Sequence, residues 1–209
     1  MEKVKEMPYE EKFAMVIDDM KLNEAVFLHW VQKHLGDQAV AEFKKTYQEV
    51  TKPIPEEASN KEKYDIAYGN WIWLGKSVYS FTRKKMGEEG IKTLERAQVE
   101  ALKQKNANPA LFLLGFIRIF SPGLAFTMTA RKMAYQLQWV DPSLAFELSQ
   151  HKAVFNMPSC KILGFPETED ICLIGCQRVY STWEAEQFKM QSEYKRQGNS
   201  CTCTKTPLR

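Results

Sequence analysis

Apolar residues recur at helical spacing along the first two thirds of the chain. Over 8–20, Phe13, Val16, Ile17 and Met20 share one side and Glu10 and Glu11 fall in the first turn, which predicts a helix. A second helix is expected over 23–35, carrying Val26, Phe27, Trp30, Val31 and His34 and stopping at Gly36. A third starts at Asp37, with Val40, Phe43 and Tyr47 as its stripe. Pro53 and Pro55 then remove backbone donors and impose extended geometry, so 52–55 reads as a linker.

The centre reads as a long helical hairpin. Ser59 or Asn60 caps a helix through Tyr64, Ala67, Trp71, Leu74, Val78 and Phe81 that ends near Gly87. Its partner, over 88–105, carries Ile91, Leu94, Ala97, Val99 and Leu102, and the chain breaks at 106–109. The most apolar stretch, 110–126, is interrupted by Arg118 and by Ser121-Pro122-Gly123, and falls short of the ~20 apolar residues of a spanning helix. The pattern predicts two buried helices meeting at a Pro-Gly turn, with a further helix over 124–139.

The periodicity then changes. Residues 153–163 are rich in strand formers, with Pro158 marking an edge or a bulge. Helical spacing returns over 170–197 through Cys172, Cys176, Val179, Trp183 and Tyr194. After Gly198, residues 200–206 alternate strictly, as a short half-buried strand does. The expected fold class is α+β in a single domain, 1–209. A mainly helical body, 1–140, carries a small antiparallel β-sheet built from the C-terminal third, within a cysteine-bearing portion, 150–209.

Composition narrows the function classes. The chain has 209 residues, 44% apolar and 26% charged, which is enough for a core without disulfide staples. A net charge of +3 with both signs interspersed offers no footprint for nucleic acid. Arg83-Lys84-Lys85 and Lys195-Arg196 read as helix ends, where cations complement the carbonyl dipole. The acidic N-terminus lacks the apolar core of a signal peptide, and five cysteines at irregular spacing do not suggest a disulfide framework. The expectation is therefore a cytoplasmic protein with reduced thiols, a small-molecule substrate and no membrane partner; a homodimer remains open.

Cysteines carry the candidate chemistry. Cys172 and Cys176 share a face on a helix, Cys201 and Cys203 share one on a strand, and Cys160 ends the other expected strand. If the strands pair beneath the helix, several thiols converge. Three explanations stay open. Buried cysteine is a small apolar residue. Zinc needs four ligands, for which Cys172, Cys176, Cys201 and Cys203 are the candidates, although their spacing is not that of a zinc ribbon. A thiolate nucleophile needs a nearby cation or base, for which Arg178, His151 and Lys205 are available. His29 and His34 lack paired-ligand spacing. Among the abundant aromatics, Tyr64, Tyr68, Trp71, Trp73, Tyr79, Phe81, Phe112, Phe116 and Phe120, a core role is the default. Trp71 and Trp73 cannot face the same way on one helix, so one of them lines a cavity or a partner surface. There is no phosphate-binding loop, dinucleotide fingerprint, nucleophile elbow or kinase signature.

Three stretches, Met157-Pro158-Ser159-Cys160, Ile171-Cys172-Leu173-Ile174-Gly175-Cys176 and the run from Tyr194 through Gly198 to Cys203, follow one another in an order that resembles the L-2-amino-thiazoline-4-carboxylic acid hydrolase family. The related vinyl-reductase-type (V4R) small-molecule-binding domains share that order. The resemblance covers about sixty residues well and the helical body in outline. Asn199 stands where that family has an acid, and Thr202 or Thr204 replaces the acid after the cysteine. The resemblance implies hydrolysis of a C–N bond in a cyclic thiazoline- or amidine-type substrate, with no cofactor. On that reading Cys176, or Cys201 or Cys203, attacks or positions the amidine carbon. His151 or Asp170 moves the proton, Cys160 joins the site, and Arg178, Trp71 and Trp73 bind substrate. The alternatives are a non-catalytic V4R-type sensor or carrier and a zinc-stapled structural protein.

Overall fold

The computed structural model describes residues 4–107 and 109–208, with 109–112 in backbone only. Its first helix, α1 (Tyr9–Leu35), runs unbroken where two helices were expected. Asn23, the expected start of the second, donates from Nδ2 to the Asp19 carbonyl one turn earlier at 2.9 Å, bracing a continuing helix rather than capping a new one. Gly36 stops it with φ 81, and its N–H returns to the Gln32 carbonyl at 3.1 Å. Helix α2 (Asp37–Gln48) follows at once and sets Phe43 edge-on against Phe27, 4.6 Å between ring centres. The Pro53–Pro55 linker is pinned by Asn70, whose side chain exchanges two 2.9 Å hydrogen bonds with the Lys52 backbone.

Helix α3 (Asn60–Lys105) opens with a capping box. Ser59 Oγ accepts from the Glu62 N–H, and Glu62 Oε2 accepts from the Ser59 N–H at 2.9 Å. One residue, Gly87 at φ 62 and ψ −155, departs from helical geometry, and the chain folds back there. Tyr79 and Gln98, which a straight helix would separate by roughly 28 Å, line one and the same cavity. The expected hairpin is thus two arms of α3 joined at a glycine.

Helices α4 (Pro109–Phe120) and α5 (Pro122–Gln136) meet at Ser121, as the Pro-Gly signal predicts. Their burial differs from expectation: Leu113, Phe116, Ile119 and Phe120 on α4, and Leu124 and Met128 on α5, are exposed. The physical reason is position, since among the described residues the substantial packing of α4 is with α5. A 3-10 turn, Leu137–Trp139, completes the helix expected over 124–139. Asn108, in the expected break, and the side chain of Phe112 lie outside the described residues.

The C-terminal third forms a four-stranded antiparallel sheet in the order β1-β2-β4-β3, giving the expected mainly helical α+β fold. The strands are β1 (Ala145–Leu148), β2 (Ala153–Met157), β3 (Met190–Gln197) and β4 (Ser200–Pro207). Strand β1 had no counterpart in the sequence reading. The strand expected over 153–163 ends at Met157, because Pro158 terminates it rather than bulging it. The helix expected over 170–197 is a ten-residue π-helix (Ile171–Tyr180), then α6 (Ser181–Phe188), then strand β3. Lys189, left-handed at φ 54, turns the chain from α6 into β3. Register sets Phe155 opposite Cys203 and Met157 opposite Cys201, so Ala153, Phe155, Met157, Cys201, Cys203 and Lys205 are buried together. Among the described residues, no helix is long and apolar enough to cross a membrane.

Two glycines of α3 with open space beside them should respond oppositely to alanine. Gly87→Ala meets no neighbouring atom but must hold a backbone conformation reserved for glycine, at an expected cost of about 1–3 kcal/mol. Gly69→Ala, with ordinary helical geometry and equal space, should be neutral or stabilising by about 0.4–1 kcal/mol. Urea unfolding of the two variants measures both.

Candidate functional site

Lys12, Val16 and Asp19 follow one another at helical spacing on the inward face of α1, so the stripe that buries valine also buries two charged residues. Around Asp19 the fold gathers donors from three segments. Trp71 Nε1 on the first arm of α3 donates to Oδ2 at 2.7 Å. Asn23 Nδ2, one turn along α1, reaches the same oxygen at 2.8 Å. The Tyr180 hydroxyl, at the end of the π-helix, donates to Oδ1 at 3.0 Å. Burial raises the Asp19 carboxyl above the ordinary carboxylate range; the bonds from Trp71, Tyr180 and Asn23 and the charge of Lys105 pull it back in part. The network continues outward, since Gln98 on the second arm of α3 donates to Asn23 Oδ1 at 3.4 Å and also meets the Tyr79 hydroxyl.

These groups wall a cavity of about 50 Å³ between α1, the two arms of α3 and the π-helix. The rest of its lining is apolar apart from Cys176, and includes Leu22, Leu74 and Ile171. Two glycines let the π-helix come this close. A Cβ on Gly175 would sit 3.4 Å from the Tyr79 hydroxyl, and one on Gly75 would sit 3.0 Å from the tip of Ile171. A π-helix is rare, and π-turns are found frequently at functional sites. A volume of this size accommodates water rather than a typical ligand, whose pocket is ~300–1,000 Å³.

Cysteines converge as the topology allows. Cys176 opens on the cavity, and Cys172, Cys160, Cys201 and Cys203 all lie close enough to influence it. Burial first, and these neighbours second, push the Cys176 thiol well above its ordinary value. Burial likewise raises Cys160 and Cys203, and pushes Cys201 up to about 12. These four thiols therefore stay protonated at neutral pH, which is the reverse of an activated nucleophile. Cys172 is buried and its sulfur accepts from Gln177 Nε2 at 3.6 Å. Among the described residues, no group of three or more histidine, cysteine or acidic side chains is arranged to hold a metal ion.

The other expected site residues separate. His151 is exposed in the turn between β1 and β2, where its N–H donates to Ser149. Asp170 is held by a two-pronged pair with Arg83, one prong at 3.0 Å. Arg178 pairs with Glu95 at 2.5 Å on a separate polar groove of about 250 Å³. Trp71 lines the cavity, whereas Trp73 is exposed beneath the Lys76 ammonium, 4.4 Å from the ring centre. Asn199 uses its carbonyl to accept from the Cys160 N–H, and Thr202 bonds Asn156 on the sheet face opposite the cysteines.

Of the three candidate cations or bases, Lys205 is the one that meets a thiol. It is 1% exposed and follows Cys201 and Cys203 on the inner face of β4. Its ammonium bonds Glu184 Oε2 and, at 3.1 Å, Ser192 Oγ, and its charge lies near enough to act on the Cys203 thiol. Burial works to lower the Lys205 ammonium, and the Glu184 carboxylate with Cys203 more than offsets it. Asp19, Asn23, Tyr79, Gln98 and Tyr180 were not candidates from sequence. The available signal was a polar residue on an apolar stripe: Asp19 three after Val16. The chain matches no family model, no curated protein and no solved structure.

Two stability experiments follow. Because Asp19 is raised in the fold, the native state binds the extra proton between about pH 4 and its folded pKa. Stability contributed at Asp19 should therefore fall as pH rises through that window. Thermal melts should show a smaller fall for Asp19→Asn than for the parent chain. At the second cluster, Glu184→Gln strands a buried ammonium and should cost about 3–5 kcal/mol, whereas Lys205→Met with Glu184→Gln should recover much of that loss in denaturant melts.

Proposed function

We propose that this protein is a small-molecule hydrolase acting on a C–N bond of a cyclic, amidine-type substrate, with its chemistry at the Asp19 cavity rather than on the strand cysteines. The observation that carries the reading is a buried carboxylate, raised above its ordinary range, on the wall of a largely apolar cavity that also holds Cys176. A titratable group perturbed by burial inside a cavity is the usual physical mark of an acid–base site. The order of cysteine-bearing segments that resembles the aminothiazoline hydrolases supplies the substrate class.

In this mechanism ionised Asp19 takes a proton from an attacking water, and the water oxygen bonds the amidine carbon. The ring C–N bond then breaks, and the same proton passes from Asp19 to the departing nitrogen. A carboxylate offers about four lone-pair directions, and three are occupied by Trp71, Asn23 and Tyr180, which leaves one for this transfer. Trp71 and Tyr180 also fix the carboxylate's orientation. The protonated Cys176 thiol lines the site beside the reacting carbon. Substrate entry requires the cavity to widen, and the irregular π-helix is the wall element proposed to move.

The experiment is turnover of L-2-amino-thiazoline-4-carboxylate and related cyclic amidines, followed by mass spectrometry for a product heavier by one water. Asp19→Asn should lower kcat by ~10²–10⁴, the usual worth of general acid–base help. His151→Ala and Cys203→Ser should stay near the parent rate. Retained activity in Asp19→Asn, or none in the parent chain with any of these substrates, overturns the reading. One observation favours binding without turnover in the same cavity: the thiols at 160, 176, 201 and 203 are all held protonated. That second reading expects such a ligand to raise the Tm while remaining unchanged in mass.

A further inference from the structure

Helix α4 is the least self-sufficient element of the fold. Its sequence, PALFLLGFIRIF, is apolar apart from Arg118, yet among the described residues its substantial packing is with α5. Ile119 is 76% exposed and Phe120 73%, with Leu113 and Phe116 beside them. Positions 113, 116 and 120 form one helical stripe, and Leu124 and Met128 extend the exposed apolar surface onto α5. A contiguous surface of this composition marks an interaction site.

Charge selects the occupant. Over α4 and α5 the chain carries Arg118, Arg131 and Lys132 and no aspartate or glutamate, although the whole chain has 26 acidic residues; the preceding Lys103 is already paired with Glu100 and Glu186. Lys132 is exposed and lies one turn beyond Met128 along α5, at the rim of the apolar stripe. A second copy of this chain would bring like charge against like charge. An anionic lipid surface instead meets the apolar stripe with acyl chains and the basic rim with headgroups. The apolar stretch 110–126 was expected to be buried in both helices; Ala125 and Phe126 are, whereas Leu113, Phe116, Ile119, Phe120 and Leu124 face outward.

We infer that the α4–α5 face docks on an anionic phospholipid bilayer, with Leu113, Phe116, Ile119, Phe120, Leu124 and Met128 entering the interface and Arg118 and Lys132 contacting headgroups. The helix lies in the interface and does not span it, in keeping with its twelve residues. Nothing in this inference depends on the Asp19 chemistry, because the cavity is walled by α1, α3 and the π-helix.

Sedimentation with phosphatidylcholine vesicles, with and without phosphatidylserine, tests it on the full chain. The expected result is binding that requires phosphatidylserine and weakens with added salt. Phe116→Ser with Phe120→Ser should weaken binding more than tenfold, and Lys132→Glu by about fivefold or more. Both variants change exposed residues, so an unchanged circular dichroism melt is expected alongside. No binding to either vesicle overturns the inference. So does binding indifferent to phosphatidylserine and to these substitutions. A dimer in light scattering that Phe116→Ser with Phe120→Ser dissociates, without vesicle binding, overturns it in favour of a second copy.

Discussion

The Asp19 carboxylate is the constraint to which the helical half of the fold is fitted. A carboxylate removed from water is tolerated only where hydrogen-bond donors replace the solvent. Here the donors come from α1, from α3 and from the end of the π-helix. Each imposes a placement: α3 must turn Trp71 inward, and the π-helix must end with Tyr180 against α1. The fold-back at Gly87 brings Gln98 and Leu102 to the same wall. The wider turn of the π-helix sets Cys176 and Tyr180 on the cavity together, and Gly75 and Gly175 give it room to approach. Cavity, carboxylate and irregular helix are one arrangement.

The sheet half depends on a second buried charge. Lys205 occupies the inner face of β4, where the alternation of Cys201 and Cys203 calls for an apolar residue. Glu184 reaches it from α6 and Ser192 from β3, so the ion pair holds helix and sheet in register. Exchanging such a pair for well-packed apolar groups is often neutral, whereas halving it is severe. The pair therefore specifies which surface of α6 faces β4 more than it adds to stability. Cys203 gains a cation beside it but no access to solvent or cavity, and its thiol remains above its ordinary range. The other four thiols lie around Cys176, and Cys176 is the one that opens on the cavity.

Sequence periodicity carried most of the helical body because amphipathic stripes and glycine or proline stops are local signals. Gly36, Ser59, Gly87 and Pro122 act as their chemistry predicts. The errors have physical causes. Asn23 looks like a helix start, and only the position of Asp19 one turn back shows that its side chain is already engaged. Strand β3 is polar apart from Met190 and Tyr194, so its period of two is nearly silent until β4 pairs with it. The site was legible in part. The convergence of cysteines and the inward Trp71 follow from spacing, but a network joining residues 19, 71 and 180 is a property of tertiary packing. His151 and Asp170 were plausible by proximity in sequence; a β-turn exposes the first and Arg83 occupies the second.

The interior and the α4 surface depart from the usual placement of residues in opposite directions. In the interior, the chain accepts the cost of burying Lys12, Asp19, Glu184 and Lys205, each of which needs partners to be tolerated. On α4 it leaves Phe116, Ile119 and Phe120 in water. A sequence shaped for monomer stability alone would exchange these placements, since apolar residues stabilise the interior and charges cost little outside it. Both departures make sense if each serves something beyond folding. The buried acid holds a perturbed proton beside a cavity, and the exposed apolar helix waits for a surface to cover it. They share no lining residue, so a chain anchored through α4 would leave the cavity between α1, α3 and the π-helix unobstructed.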